Sequence, residues 1–279
     1  MPSSFLHLPF STSFSPAWPF AFARVKGTHH RKFQKTCQDF GAWIFEEDPF
    51  PFLIVALADG AGSAHLSHEG AYLSVQKTLF FFRTLLKKGQ FKNDSKSLKT
   101  IGDTLVSEIQ TLLNTKAKIK KQPLAEFSTT LITFIATPQG YAFFQIGDGF
   151  GVIRPLHSSD YILLQLPQKG IHVNETNFIT GINASKHLTI SFDQTLPAFV
   201  ALSTDGIENV ALKNPSFTPH GPFFTPLESF IRAEKEKVSE KLHIFLSSER
   251  FDARSSDDRT LFLASFDPSL LTPAISKIS

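Results

Sequence analysis

Three segments of this chain run almost unbroken apolar and then stop on the same dipeptide. "FLIVALADG" ends at Asp59-Gly60, "YAFFQIGDG" at Asp148-Gly149 and "AFVALSTDG" at Asp205-Gly206. A strand without polar alternation is one buried on both faces. A half-exposed sheet is therefore excluded for these segments, and a layered structure must cover each side of them. In "SSDDRTLFLASF" the order is reversed, and Asp257 and Asp258 come just before the strand. A single Asp-Gly signals only a turn. If the strands are neighbours, however, the acids converge on one edge of a sheet. There they would repel, and at least one would take up a proton. A hard divalent cation removes the conflict, and oxygen donors without cysteine suit Mg²⁺ or Mn²⁺ better than zinc. The glycine beside each Asp is expected to let backbone and water approach such ions. Plain structural turns at every site are the competing reading, and they predict no tight Mn²⁺ binding.

The 279 residues suit one large domain or two small ones, and 42% hydrophobic against 19% charged residues marks a globular chain. Phenylalanine dominates the aromatics, 30 copies against 3 Tyr and 2 Trp, so a Phe-packed core is expected. A formal charge of +3 with scattered basic residues gives no reason to expect nucleic acid or an anionic membrane as partner. The single cysteine, Cys37, excludes an internal disulfide and favours a reducing, cytoplasmic setting. No apolar run approaches the ~18 residues of a membrane span. "AFA" at 21–23 mimics a signal-peptidase site, but neither a positive charge nor a continuous apolar core leads into it. Residues 1–19 read as an irregular arm, 20–267 as the folded domain and 268–279 as a tail.

"FAFARVKGT" alternates like a strand, and "FGAWIFEE" and "PFLIVALA" are two more, joined at Asp48-Pro49. Residues 67 to about 88 place Ala71, Val75, Leu79, Phe82 and Leu86 on one helix face, with Ser67 as N-cap. A second helix over about 96–118 turns Leu98, Ile101, Leu105, Ile109 and Leu112 inward. Six strands follow: "STTLITFIAT", "GYAFFQIG", "FGVIRPL", "DYILLQL", "HLTISF" and "PAFVALST". Two helices, about 224–236 and 239–248, precede a last strand, "RTLFLASF". This order is not the alternation of a doubly wound sheet. It suits an α+β, four-layer αββα sandwich: two stacked antiparallel sheets with a helix pair outside each. "NPSFTPHGP" reads as a loop. "GIHVNETNFITG", within 169–183, reads either as a mobile flap or as an ordinary surface loop.

Other chemistries find little support. His29-His30 are adjacent and His65 and His68 lie three apart, but no HExxH accompanies them, and exposed or hydrogen-bonding histidines are expected. Cys37 lacks the CxxxxxR setting of a cysteine phosphatase and reads as structural. "LSTDG" is not a Gly-x-Ser-x-Gly elbow, and there is no P-loop.

"GTHHRKFQKTCQD", "ADGAGSAHLSHEGA", "FSTTLITFIA" with "QIGDG", "LSTDGIEN" and "DDRTLFLAS" occur in that order over about residues 20–266. In this order they resemble the PP2C-type metal-dependent serine/threonine protein phosphatases, above all the bacterial subgroup whose second motif is Asp-Gly-Ala-Gly-Ser. The resemblance implies the αββα sandwich and two Mn²⁺ or Mg²⁺ ions, with a third in bacterial relatives. By it Asp59, Asp205 and Asp257 are the catalytic metal ligands, joined by the Gly60 carbonyl. Asp148 helps hold the third ion, and Asp39 and Gln38 touch metal or its water, with Asp258 behind. Many family members carry an Arg five residues before the first-motif Asp to grip phosphate. Here that position is Gln34, which leaves His30, Arg31, Lys32 or Arg24 as candidates.

The reaction expected is hydrolysis of phosphoserine and phosphothreonine on a protein substrate by a water activated between two ions. The rival is a catalytically weak relative that binds a phosphorylated partner as a regulatory module. Gln34 motivates the rival, and the intact Asp59, Asp205 and Asp257 count against it. Substrate identity and oligomeric state are not written in the chain.

Overall fold

The computed structural model describes residues 18–169 and 176–267. One antiparallel sheet contains, in spatial order, β2 (Phe40–Glu46), β3 (Phe52–Ala58), β4 (Leu131–Thr137), β5 (Gly140–Ile146) and β8 (Thr189–Asp193). The other contains β1 (Phe20–Val25), β12 (Arg259–Ser265), β9 (Phe199–Ser203), β6 (Phe150–Arg154) and β7 (Ile162–Leu163). The long helices α2 (Ser67–Lys87) and α3 (Ser95–Lys120) cover the β3 sheet, and α6 (Gly221–Ala233) and α7 (Val238–Leu246) cover the β9 sheet. Four short helices complete the set: α1 (Thr28–Lys32), α4 (Ala184–His187), α5 (Glu208–Ala211) and α8 (Glu249–Asp252).

The continuous apolar runs follow from this layering. In β3, Phe52, Ile54, Ala56 and Ala58 face the helices, while Leu53, Val55 and Leu57 face the opposite sheet. In β9, Phe199 and Ala201 face α6 and α7, and Val200 and Leu202 face inward. Phenylalanines fill the space between the sheets: Phe134, Phe143 and Phe262 are fully buried there. Trp18 is buried against Phe45 and Phe266, and the Ser265 amide donates to the Pro19 carbonyl, so the end of the N-terminal arm docks on the domain. Residues 1–17 and 268–279 lie outside the described residues.

Several local expectations change. Ser67 is not an N-cap but the first residue of α2, and Leu66 precedes it without a side-chain cap. Its hydroxyl is used otherwise, accepting from Gln38 Nε2 at 2.8 Å and donating to the Ala64 carbonyl at 3.1 Å. In α3, Leu113 is buried where Leu112 was expected, and Ile101 and Leu112 are half-buried. "NPSFTPHGP" is not wholly loop: β10 (Leu212–Lys213) and β11 (Thr218–Pro219) form a small hairpin across it. Among the described residues no helix is long and apolar enough to cross a membrane.

Candidate active site

Strand register brings the acids together. β2 pairs with β3 as Phe40 with Ala58, so one more step puts Asp39 opposite Asp59. β6 pairs with β9 as Phe150 with Ser203, and two more steps put Asp148 opposite Asp205. β1 pairs with β12 as Val25 with Arg259, which carries Gly27 to Asp257. The acids therefore do not line one sheet edge, as expected from the chain alone. They converge where the facing ends of two sheets meet, and the β5–β6 turn bearing Asp148 crosses from one sheet to the other. Carboxylate oxygens of Asp59, Asp148 and Asp205 all lie within 4.8 Å of one another. Asp257 is not in that triad, yet its charge acts on both Asp59 and Asp205. His65 and His68 take no part in any such cluster among the described residues.

Asp59 is held by its backbone. The Asp59 carbonyl accepts from the Thr129 hydroxyl at 2.8 Å and the Thr130 amide at 2.8 Å, and the Asp59 amide donates to Thr130 Oγ1 at 3.0 Å. Gly147, at φ 105°, turns the chain beside Thr130, where a Cβ would sit 2.5 Å from Thr130 Cγ2. Gly60 is bonded through its amide to the Gln38 carbonyl. Gly206 has a different task from the one expected. Its missing Cβ admits the Asp258 carbonyl, which would otherwise lie 1.8 Å away. It therefore locks the Asp257-Asp258 loop onto β9 and does not simply open the site to water.

Asp258, almost fully buried, accepts three hydrogen bonds: Gly27 N at 2.7 Å, His30 Nδ1 at 2.8 Å and Gln38 N at 2.6 Å. It thus fixes the whole first motif against the last strand. His30 is buried in this contact. Arg31 donates to the Lys26 carbonyl and to Asp252, which also pairs with the buried Arg259. Arg24 is exposed and gives one N–H to the Asp39 carbonyl at 3.1 Å. Gln34 stands at the exposed turn after α1, in the left-handed region at φ 53°. Thr176, at the described end of the 170–181 segment, donates to Asp148 Oδ2 at 2.8 Å, and Ile179 is buried with its amide on the Thr129 carbonyl. That end of the segment is packed beside the acids, and residues 170–175 lie outside the described residues.

Electrostatics mark the cluster as unfinished. Burial raises the Asp59 carboxyl well above the ordinary range, and Asp39, Asp205 and Asp257 push it further. Asp205 is likewise raised by burial and then by Asp148 and Asp257. Asp39 is pushed up to about 7, burial outweighing the hydrogen bonds its Oδ2 accepts from Thr260 and Thr204. Buried oxygens on Asp205 (Oδ1), Asp39 (Oδ1) and Glu208 (Oε2) have no hydrogen-bond partner. Converging, desolvated carboxylates with orphaned oxygens fit a hard divalent cation. Cys37 fits nothing reactive: burial, with Asp39 and Asp258 nearby, pushes its thiol strongly up.

Residues 26–247 match the sequence profile of the protein phosphatase 2C family. The chain belongs to this family. As a protein phosphatase 2C it is an enzyme, and it is 34% identical over 258 residues to serine/threonine-protein phosphatase 3 of Escherichia coli (strain K12), spanning 89% of this chain and 98% of that protein. Its fold is shared with a bacterial serine phosphatase (TM-score 0.62, 13% identity, 89% of this chain and 97% of that one). A serine/threonine phosphatase from Staphylococcus aureus is similarly related (TM-score 0.60, 14% identity, 94% and 98%). Three positions in this phosphatase 2C chain escaped the sequence reading. Glu208 is buried, ion-paired to Lys169 and adds charge beside Asp205. Thr204, just after β9, and Thr260, in β12, anchor Asp39 from the opposite sheet. Glu208 and Thr204 lie within "LSTDGIEN" and Thr260 within "DDRTLFLAS", so the motifs marked the region without marking their roles.

The raised carboxyls set a pH dependence for the metal-free phosphatase. Their folded pKa values exceed the unfolded value of about 3.9, so the folded state binds more protons and stability falls as pH rises from about 4 through about 7. With EDTA present, Tm is expected to be higher at pH 5.5 than at pH 8. Saturating Mn²⁺ should shrink or reverse that difference, because carboxylates that would hold the ion must be ionised. A metal-free Tm that rises from pH 5.5 to 8 would contradict the assignment.

Proposed function

We propose that this phosphatase hydrolyses phosphoserine and phosphothreonine monoesters on proteins with a water activated by two divalent cations, Mn²⁺ or Mg²⁺. The observation that carries the reading is the meeting of carboxylates from distant strands at a buried point, with oxygens left without partners. Asp59, Asp205 and Asp257, with the Gly60 carbonyl, would hold the two ions, and Asp148 would hold a third. Bound ions of this kind lower the pKa of water from 15.7 to about 7, which makes a nucleophile available at neutral pH.

The chain's own groups set the geometry. Asp39, held by two threonine hydroxyls, keeps one oxygen free to accept a proton or a water hydrogen. Gln38 spans from its amide on Asp258 to its side chain on Ser67 and so fixes Asp39 between motifs. Of the four basic candidates for phosphate, Arg24 has guanidinium N–H groups beyond the one given to the Asp39 carbonyl, and we assign it first contact. His30 and Arg31, engaged with Asp258 and Asp252, position the loop that carries them. The phosphatase domain spans 20–267, with 1–19 as an arm and 268–279 as a tail, and the single Cys37 accords with a cytoplasmic setting.

Turnover of p-nitrophenyl phosphate and of a phosphothreonine peptide is expected with Mn²⁺ and is expected to vanish with EDTA. Tight Mn²⁺ binding without turnover of either compound would reject catalysis and favour the regulatory module.

A further inference from the structure

A recess outside the catalytic machinery is lined by residues close in the chain to the acids. It is a cleft of about 580 Å³ lined by Asn209, Lys213, Asn214, His220, Phe223 and Arg254, among others. Among its described lining residues none is acidic. No carboxylate among the described residues pairs with Lys213, His220 or Arg254, and His220 Nδ1 is shielded from solvent without a hydrogen-bond partner. Several basic side chains around the acids already have partners: Lys169 takes Glu208, and Arg31 and Arg259 take Asp252. Two exposed cations, Lys213 and Arg254, around one recess without acids are a site for an anion from outside.

Its position says which anion. Arg254 precedes Asp257 by three residues and Asn209 follows Asp205 by four, so the cleft lies no more than about 10–14 Å of chain from the metal-ligand acids. An extended peptide advances about 3.3 Å per residue. A substrate whose phosphoresidue sits over the acids would therefore place a residue two to four positions away in the cleft. We propose that this cleft is a substrate subsite, in which Lys213 and Arg254 take an acidic or phosphorylated side chain two to four residues from the phosphate being removed. The inference rests on the phosphatase reading. It adds a preference for substrates that are acidic or multiply phosphorylated near the target. The chemistry shared with a free inorganic anion is the same, so the test separates the two sources.

Peptides with one phosphothreonine and either glutamate or alanine at positions two to four on each side would be assayed against wild type and against Lys213→Glu/Arg254→Glu. Exposed charge contacts of this number predict a preference of roughly three- to tenfold in kcat/KM for one of the glutamate peptides. The double variant should abolish or invert it, and 0.5 M NaCl should weaken it. p-Nitrophenyl phosphate cannot span the two sites and should be turned over equally by both proteins. Lys213→Ala/Arg254→Ala, which introduces no new charge, should also lose the preference. Equal kcat/KM on all peptides, or a preference that survives both variants, overturns the subsite. Overturned too is the substrate as source if sulfate changes p-nitrophenyl phosphate turnover saturably in wild type alone while peptides are not distinguished. Failure of the phosphatase reading itself would appear differently, as no turnover of p-nitrophenyl phosphate by wild type.

Discussion

Asp59→Asn is expected to lower kcat/KM with Mn²⁺ by roughly a thousandfold or more, about 4 kcal/mol of transition-state stabilisation, while the protein remains folded. Asp59 stands at the centre of the cluster. It is raised by burial first and then by Asp39, Asp205 and Asp257, and it shares the narrow space with Asp148 and Asp205. An amide at that position keeps the shape but removes the charge that would bind a cation. The backbone anchors through Thr129 and Thr130 do not involve the carboxylate and should survive. Removing one repelling charge also predicts a sign opposite to that of an ordinary damaging mutation. In EDTA at pH 8 the variant should melt at or above the wild-type temperature. Steady-state kinetics and thermal melts on the same preparation check both halves. A variant that keeps its activity, or that melts far lower in EDTA, would mean that Asp59 is not a metal ligand.

Asp258→Ala should act on the fold as well as on the chemistry. This carboxylate is 1% exposed and accepts from Gly27, His30 and Gln38, three groups far from it in the chain. Truncation leaves buried donors without a partner and a buried histidine without its acid. Each buried donor left without its acceptor costs about 1–3 kcal/mol, so about 3 kcal/mol or more is expected for the three. Urea unfolding should show a loss of that size, and activity should fall because Asp39 and Gln38 are no longer held. Asp258→Asn, which keeps one accepting oxygen, should lie between. A loss below about 1 kcal/mol would mean that the first motif is held in place by something other than Asp258.

Much of this arrangement could be read from residue patterns alone, and the reasons are local. The run in β3 is apolar at every position because one face meets α2 and the other meets the second sheet, so burial on both sides was written in composition. The helix face of α2 was legible for the same reason, since Ala71, Val75, Leu79, Phe82 and Leu86 recur at helical spacing and all are buried. Asp59, Asp148 and Asp205 were visible because each ends such a run. What stayed hidden depends on register between strands. That Asp39 faces Asp59, and that Asp148 bridges two sheets, follows from pairings no single segment contains. Gly206 looked like a partner of the metal site because it follows Asp205, but its neighbour in space is Asp258. Nothing in "RTLFLASF" marks Arg259 as fully buried and bound to Asp252 and the Leu246 carbonyl. Ser67 had the residue type of a helix cap, and a tertiary contact with Gln38 took its hydroxyl.

Acids from four strand ends are expected to share divalent cations. Anomalous diffraction from a crystal soaked in Mn²⁺ tests it most directly. Manganese peaks are expected at the meeting point of the two sheets, with carboxylate oxygens of Asp59, Asp205 and Asp257 at about 2.1 Å from them. Manganese found only elsewhere, with these three acids too far apart to reach a common pair of ions, would contradict it.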